Sequence, residues 1–383
     1  MAQRPRLLWV PHGAWHALGG QRQHHLARRL ADRFDIHVIS WHQPRTVSGL
    51  GRARTYIWEA APVTVHEVAL APNVYRAATR GYPPQWALAF NQRLFRRHIA
   101  AVAAGGVDAA IYSSSHHFTG YPPLAAAFPW VFDYVDLSPP DVERTYCAAA
   151  AAVLAASPAL EAGARAHGRP VTLVPNGVDT QAYRRADGRA LRAALGLGGG
   201  ALVSLIGLTC SPRLYFVDAL ARLARARPVA LLAVGEGPLR SAIARRAAEL
   251  GVPCRTPGWV DPARVPEYFA ASDVGLYPGE DTPYFRSAAP LKVLEYLAAG
   301  RPVVSSRVEA WSGLGVSGVT TALATAEGFA QALSAVLAGE GAAPGGLDGL
   351  DWDQLAGRVA DVLDGVRTHR ARTAAPAAAG EEG

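Results

Sequence analysis

Residues 287–300, SAAPLKVLEYLAAG, combine a cation and a carboxylate with the signals of a short helix. Pro290 suits the first helical position, a leucine stripe follows, and Gly300 suits the C-terminal end. The N-terminus of such a helix offers free amides and a positive dipole end beside Lys292, which suits a diphosphate. Glu295, one turn further on, can accept two hydrogen bonds from a ribose diol. The alternative is a surface ion pair between Lys292 and Glu295, which contributes little energy.

Two loops in the first half of the chain carry groups that suit a phosphate or a sugar. Gly19 and Gly20 end the loop after the first predicted strand, where missing side chains let backbone amides approach a ligand closely. Residues 113–120 follow another strand and contain His116 and His117. A histidine at a strand end can hydrogen bond a substrate hydroxyl or titrate near neutral pH. A plain loop and structural histidines remain open as alternatives.

Acidic and amide side chains follow two further strands, and ligands of open α/β sheets bind at the carboxyl ends of strands. Asp133 and Asp136 straddle a strand end in VFDYVDL, where they can accept hydrogen bonds from sugar hydroxyls or cap a helix. Asn176 lies in the Pro-Asn-Gly sequence after VTLV. Pro-Asn-Gly also forms a turn without any functional role.

Short β-rich runs alternate with helical patterns along most of the chain, which predicts the α/β class with parallel sheets. In the first half, the predicted strands are 7–10, 36–41, 64–68, 107–112, 130–135 and 171–174. The pattern restarts with strands at 202–207, 229–234, 274–277 and 302–305. Two such series predict two similar sheets, each in a domain of its own.

Glycine-rich residues 196–200 are the best hinge candidate, because glycine runs disfavour both regular structures. We therefore predict a first domain at 1–180, a linker at 181–200 and a second domain at 201–350. An amphipathic helix is expected at 351–367. Residues 368–383 have no large apolar side chain and are expected to form a disordered tail.

The composition is that of a folded chain with a basic balance. Of its 383 residues, 38 are Lys or Arg and 31 are Asp or Glu, a net charge of +7 that favours an anionic partner. The 3 cysteines are far apart and form no CxxC, which argues for a reduced compartment and against structural zinc. No apolar run approaches a membrane span or a signal peptide. We therefore expect a cytoplasmic protein.

Taken together, these segments resemble the family 4 glycosyltransferases and their bacterial relatives, which have the GT-B fold. VTLVPNGVDTQAY is similar to a segment that precedes that family's second domain; ALVSLIG, VALLAVGEGPL, GWVDPARVPEYFAASDVGLYP and PLKVLEYLAAGRPVVSS follow in the family's order. The resemblance covers nearly the whole chain. It implies two Rossmann-like domains with doubly wound parallel sheets facing a central cleft, and a C-terminal helix that crosses back to the first domain.

The resemblance also implies roles for particular residues. Glu295 would bind the ribose of a nucleotide sugar, Arg213 and Lys292 would stabilise its diphosphate, and His116 or His117 would face the transferred sugar. Further donor contacts would come from Gly19, Gly20, Gly207, Gly235, Gly258, Trp259, Val260, Pro290 and Leu291. Asp133, Asp136 and Asn176 are the candidates for contact with the sugar or acceptor.

Two positions depart from the family's pattern. Its paired glutamates, eight positions apart, would need an acidic residue at Ser287, and its usual Gly-Arg is Gly207-Leu208 here. Relatives with the PLKVLEYLAAGRPVV type of segment often lack both. Losing one charge-assisted contact costs about 1.5 to 3 kcal/mol, so donor binding would be weakened and not abolished.

The activity implied is a retaining transfer of a sugar from a nucleoside-diphosphate sugar to an acceptor hydroxyl of a polysaccharide, glycolipid or secondary metabolite. We expect no metal and no other cofactor, because cations and amides can stabilise the leaving diphosphate. Residues 351–353 spell DWD but open the last helix, where a capping role is expected. A nucleotide-sugar 2-epimerase of the same fold and a non-catalytic nucleotide-sugar binder remain as alternatives.

Residues 85–104 bear on further partners. They mix Phe90 and Leu94 with Arg93, Arg96 and Arg97, which suits either an ordinary domain helix or an interfacial helix on anionic lipid at the inner face of a membrane. We expect no nucleic-acid binding, because the arginines are scattered along helices among alanines without interleaved aromatic residues.

Overall fold

The computed structural model of the chain describes residues 3–16, 20–42, 49–70, 85–113, 128–197, 199–208, 213–311 and 313–374. The chain divides into two compact units. Unit 1 consists of Met1–Pro175 and Asp353–Gly383, and unit 2 consists of Asn176–Trp352. The chain therefore leaves unit 1 once and returns to it with its last helix.

Unit 1 contains an eight-stranded sheet. Its strands are β1 (Arg6–Val10), β2 (Asp35–His42), β3 (Ala53–Ile57), β4 (Val63–Ala69), β5 (Ala109–Ser113), β6 (Trp130–Tyr134), β7 (Ala152–Ala155) and β8 (Val171–Leu173). Their order across the sheet is β3-β4-β2-β1-β5-β6-β7-β8. All neighbours are parallel except β3, which pairs antiparallel with β4 at the sheet edge.

Helices cover this sheet. In chain order they are α1 (Arg22–Leu30), α2 (Gln85–Ala103), α3 (Pro140–Ala149) and α4 (Pro158–Arg165), to which the chain's last helix, α13 (Trp352–Ala374), is added. Leu26 and Leu30 form the buried stripe of α1, as their spacing of four predicts. On the outer side of α1, Arg29 forms an ion pair with Asp353 of α13.

Unit 2 contains a six-stranded, wholly parallel sheet. Its strands are β9 (Ala201–Ile206), β10 (Val229–Val234), β11 (Cys254–Gly258), β12 (Val274–Tyr277), β13 (Val303–Ser305) and β14 (Val319–Thr321), in the order β11-β10-β9-β12-β13-β14. Its helices are α5 (Thr180–Arg185), α6 (Arg189–Leu195), α7 (Tyr215–Leu223), α8 (Leu239–Glu249), α9 (Val265–Ala271), α10 (Pro283–Ser287), α11 (Leu291–Ala298) and α12 (Ala326–Leu337).

Two apolar cores lie on opposite faces of the unit 2 sheet. Leu202 and Ile206 of β9 contribute to one core, while Val203 and Leu205 contribute to the other. Side chains alternate across a strand, so a continuous apolar run is expected where both faces are covered. This is why the buried strands were visible in the sequence as unbroken runs of Val, Leu and Ile.

The α/β class and the two parallel sheets predicted from the sequence are confirmed, and each predicted strand is present. Four strands were missed. β3, β11 and β14 are edge strands, and β3 is largely exposed, so none has the apolar run of a central strand. β7, with the sequence AVLA, follows an alanine-rich stretch that does not separate strand from helix.

The boundaries differ from those expected. Residues 181–200, predicted as a linker, contain most of α5 and all of α6 and belong to unit 2. Gly200 lies so close to the Pro228 carbonyl that a Cβ at this position would overlap it. Glycine is therefore required here for close packing just before β9. The last helix continues to Ala374, so 368–374 are helical and not disordered, because Ala and Arg favour helix. The rest of the predicted tail, 375–383, lies outside the described residues.

Candidate functional site

Three glycines mark the ends of neighbouring strands in unit 2. Gly207 and Gly235 follow β9 and β10, and Gly258 ends β11, with φ values of +81°, +132° and +84°. The Gly207 amide donates to the Val234 carbonyl, and the Gly235 amide donates to the Gly258 carbonyl, each at 2.9 Å. Positive φ favours glycine, since other residues meet a Cβ penalty there. The backbone thus turns at the carboxyl edge of the sheet, where ligands of such sheets bind.

Lys292, in the first turn of α11, lies against this edge. A Cβ on Gly207 would be 3.4 Å from Lys292 Cε, so the aliphatic part of the lysine rests on the glycine backbone. Its Nζ is 2.9 Å from Glu295 Oε2 and 5.8 Å from the centre of the Phe269 ring. A cation is therefore held beside the free amides at the N-terminus of α11, as an anion site requires.

Glu295 is only 9% exposed and is held from a second side. The hydroxyl of Tyr183, on α5, donates to Glu295 Oε1 at 2.7 Å. Burial and the adjacent carboxylate raise the pKa of Tyr183 well above its usual value, so the phenol remains a neutral donor. A carboxylate has about four acceptor positions, so Glu295 keeps capacity for a diol when both of these partners are in place. The predicted Lys292–Glu295 pair is therefore real, but its carboxylate is largely buried.

Asn176 fixes the segment that leads into α11. Its Nδ2 donates to the Ala289 carbonyl at 2.5 Å, and its side chain is 7% exposed. Pro290 is the N-cap of α11 and not its first helical residue as predicted; its side chain supplies no cap hydrogen bond to the amides of Leu291 and Lys292. Asn176, which we had assigned to the sugar or acceptor, thus contacts the backbone beside the α11 N-terminus within unit 2.

Arg213 lies two residues before the first residue of α7. Its Nε is 3.5 Å from Glu280 Oε1, and its side chain is 77% exposed. The next residue, Leu214, has a φ of +53°, the only positive φ among the described non-glycine residues. Such backbone strain costs about 1 to 3 kcal/mol and concentrates at ligand sites. Ser287, which stands where the family has a glutamate, donates to the Tyr284 carbonyl at 3.0 Å.

The loop after β11 presents Trp259, whose side chain is 69% exposed. Its backbone amide donates to Glu236 Oε1 at 3.2 Å, and Arg240 donates to the same oxygen at 2.9 Å. A Cβ on Gly258 would overlap both of these charged groups, so glycine gives them room. The next residue, Val260, is partly buried against the apolar core of unit 2. The loop backbone is therefore held in place by Glu236, while the Trp259 side chain is exposed to solvent.

In unit 1, Asp133 is locked in a buried network. It is 1% exposed and accepts hydrogen bonds from Arg22 Nη2 at 2.9 Å and from Ser113 Oγ at 3.0 Å. Arg22 also donates to the Pro175 carbonyl at 2.9 Å. Asp133, predicted as a contact for the sugar or acceptor, is instead neutralised inside the protein by a cation whose role the sequence did not suggest.

Asp136, two residues past β6, is more accessible. Its Oδ2 is 3.2 Å from His12 Nε2, and the side chains are 17% and 27% exposed. His12 follows β1, so the pair brings together two strand ends at the carboxyl edge of the unit 1 sheet. The sequence analysis missed His12. Its place directly after a buried strand is the signal that could have identified it.

The other first-domain candidates fall largely outside the described residues. These are Gly19, His116 and His117. Gly20 is described and has a φ of +70°, and its carbonyl is 3.2 Å from His25 Nε2.

The described residues hold no group of three His, Cys, Asp or Glu side chains placed to bind a metal ion. In the DWD sequence at 351–353, Asp353 pairs with Arg29, and the Thr180 hydroxyl donates to Asp351 at 3.4 Å. Within the ranges given above, no helix has the length and apolar character needed to cross a bilayer.

Comparison with known proteins bears on a segment of unit 2 and on the fold of the chain. Residues 212–339 match the family model described as glycosyl transferases group 1. The chain is 42% identical over 55 residues to TuaH of Bacillus subtilis, which is named as a teichuronic acid biosynthesis glycosyltransferase. That match covers 14% of this chain and 14% of the relative.

Solved structures match over almost the whole chain. A UDP-forming α,α-trehalose-phosphate synthase from Burkholderia vietnamiensis gives a TM-score of 0.72 at 16% identity, covering 96% of this chain and 100% of that one. A sucrose-phosphate synthase from Thermosynechococcus elongatus gives 0.63 at 18% identity, covering 97% and 98%. Anabaena HepE in complex with UDP and glucose gives 0.60 at 16% identity, covering 97% and 99%. The family model covers part of unit 2, and the architecture shared with the solved structures shows that the chain has the GT-B fold.

Proposed function

We propose that this enzyme transfers a sugar, with retention of anomeric configuration, from a uridine diphosphate sugar to an acceptor hydroxyl. The observation that carries the proposal is the arrangement of Lys292, Glu295 and Tyr183 at the carboxyl edge of the unit 2 sheet. It offers a cation and helix amides to a diphosphate, and a buried carboxylate to a ribose. The names of the relatives, which form or bind UDP, support uridine as the nucleoside.

The chemistry follows from the charge that develops on the leaving group. The bond between the sugar's anomeric carbon and the diphosphate oxygen breaks, and the acceptor oxygen forms a new bond to that carbon on the same face. The acceptor proton passes to a donor phosphate oxygen. Lys292, Arg213 and the first amides of α11 stabilise the departing diphosphate, a role that fixed cations and dipoles fill efficiently. Enzymes of this family use nucleotide-sugar donors and are typically metal-independent.

In this proposal Glu295 holds the ribose diol, and Gly207 and Gly235 admit the diphosphate close to the backbone. The Gly258–Val260 loop holds the base. Asp136, paired with His12, is the remaining first-domain candidate for contact with the acceptor. We also propose that the acceptor is met at a membrane surface, through residues 85–104.

The double variant K292A/R213A tests the proposal. We expect turnover to fall at least 100-fold, because two leaving-group cations are lost at about 1.5 to 3 kcal/mol each. R225Q, which removes one exposed cation of unit 2, is the charge control. Turnover would be measured as UDP released with acceptor present, and unchanged turnover in the double variant would exclude the assignment.

A thermal-shift panel of UDP, GDP, ADP and CDP tests the donor class separately, because a ligand that binds only the folded form raises Tm. We expect the largest shift with UDP and none in K292A/R213A. Two alternatives have distinct outcomes. Conversion of the donor alone would indicate a nucleotide-sugar 2-epimerase. Donor binding with no transfer to any acceptor would indicate the non-catalytic binder that Ser287 and Leu208 are compatible with.

A further inference from the structure

The outer face of α2 carries cations and an exposed aromatic ring. Phe90, Arg93 and Arg97 are spaced by three and four residues, so they share one side of the helix, and all three are exposed. Arg96 is also exposed and flanks them. The opposite side is anchored, since Phe95 and Ile99 are no more than 2% exposed and pack in the core of unit 1. The cationic side therefore faces away from the core.

No ion pair joins these three arginines to an acidic side chain in the described part of the chain. The sequence explains why, because residues 68–107 contain five arginines and no aspartate or glutamate. Elsewhere the surface arginines are commonly paired, as Arg246 is with Asp218. A stretch of forty residues without a carboxylate is long for a chain that has 31 of them, so the arginines of α2 have no acidic residue near them in the sequence.

A second segment of unit 1 adds to this surface. Gly51 approaches α2 closely, with a position for a Cβ only 3.1 Å from Leu94 Cδ2, and its carbonyl is 3.1 Å from His98 Nε2. The next residue, Arg52, is exposed and lacks an ion-pair partner among the described residues. The cationic surface is thus formed by two segments that pack on each other.

Phe90 distinguishes lipid from other anionic partners. Its ring is 43% exposed on the same side as the arginines. Heparin or duplex DNA would gain little from an apolar ring, whereas a bilayer takes up an aromatic side chain at the boundary between headgroups and acyl chains while the arginines contact the phosphates. Clustered basic residues next to such a side chain are typical of surfaces that bind anionic lipid.

We propose that Phe90, Arg93, Arg96, Arg97 and Arg52 form a docking surface for a bilayer that contains anionic phospholipid. The inference deepens the proposed function, because it names the surface at which an acceptor would be met. The lipid contact itself requires no donor and no transfer. It holds the chain at the bilayer as a peripheral protein.

The test is co-sedimentation of the full chain with vesicles of phosphatidylglycerol and phosphatidylcholine, and with vesicles of phosphatidylcholine alone. We expect binding only to the anionic vesicles, and its loss at high salt. R93Q/R96Q/R97Q should lower the partition coefficient about 100-fold. F90S should lower it severalfold without changing the charge. R184Q/R185Q/R225Q removes the same charge from exposed positions of unit 2 and should leave binding close to wild type.

Three results would overturn the proposal. The first is that wild type does not bind anionic vesicles, and the second is that the two triple variants lose equal amounts of vesicle binding. The third is that the chain binds heparin or duplex DNA more strongly than vesicles and that F90S does not change this binding. The first result would show that this surface does not bind the bilayer. The second would show that binding depends only on the net charge of the chain. The third would show that the surface binds a soluble polyanion. The UDP-induced thermal shift of R93Q/R96Q/R97Q should equal that of wild type, which verifies folding. If UDP shifts the Tm of neither wild type nor the variants, the proposed function fails, but vesicle binding still tests the docking surface.

Discussion

The carboxyl edges of the two sheets use charged side chains in different ways. In unit 2, Lys292 and Glu295 face each other at 2.9 Å, and the lysine side chain is still 31% exposed. In unit 1, Asp133 and Arg22 are both nearly inaccessible, and each makes further bonds inside the protein. In the proposed function the first pair exchanges a partner for a ligand, while the second pair has only a structural role. The two pairs share the same kinds of charged group and differ in burial, since the side chains of the Lys292–Glu295 pair are 31% and 12% exposed and those of the Arg22–Asp133 pair are 4% and 2% exposed.

The two units also differ in their response to acid. All 12 histidines lie within residues 1–175 and 353–383, so unit 2 contains none. Burial lowers the pKa of His24, and burial with the nearby His37 and His98 lowers the pKa of His66 to about 4. Acid should therefore act on unit 1 first.

The largest effect on this comparison is expected from R22M. It leaves Asp133 buried without its cation, which should lower the free energy of unfolding by about 3 to 5 kcal/mol, measured by urea denaturation. R29Q, which removes a more exposed pair with Asp353, is the matched control and should cost less than about 1 kcal/mol. A second change, D133L, should restore much of the loss in the double variant. If R22M and R29Q cost the same, Asp133 is not committed to structure.

The next effect is the loss of unit 1 stability in acid. His66 binds its proton more weakly in the folded state than in the unfolded state, where its pKa is about 6.5. Its contribution is therefore complete above pH 6.5 and is lost as the pH falls from there toward 4. Hydrogen exchange followed by mass spectrometry at pH 7 and pH 5, corrected for intrinsic rates, should show faster opening of β2 and β4. Unit 2 strands serve as the internal control, and equal acceleration in both units would contradict the expectation.

The smallest effect is expected from Y183F, which removes the hydroxyl that holds Glu295. We expect the KM for the donor to rise roughly tenfold with kcat nearly unchanged, since in the proposed function the hydrogen bond fixes a carboxylate that binds the donor before and during the reaction. Y296F is the control, because its hydroxyl contacts Ser204 and not Glu295. A KM in Y183F equal to that of Y296F would show that Tyr183 does not position the ribose site.

The sequence predicted those parts of the site that are close together in the chain. Lys292 and Glu295 are three residues apart on one helix, so helical geometry alone brings them together. Tyr183 and Glu295 are 112 positions apart, and Arg22 and Asp133 are 111 apart. Pairs of that kind depend on how helices pack over a sheet, which local patterns do not encode. The same limit applies to the edge strands, whose pairing is set by neighbours and not by an apolar run.

The return of residues 353–383 to unit 1 affects how the chain is made. Unit 2 is one continuous segment, so every residue it needs has been synthesised before the last helix leaves the ribosome. Unit 1 is completed later, because its last helix, α13, carries the buried side chains Leu355, Val359 and Leu363 and is synthesised last. During synthesis, unit 2 can therefore complete its fold before unit 1 does.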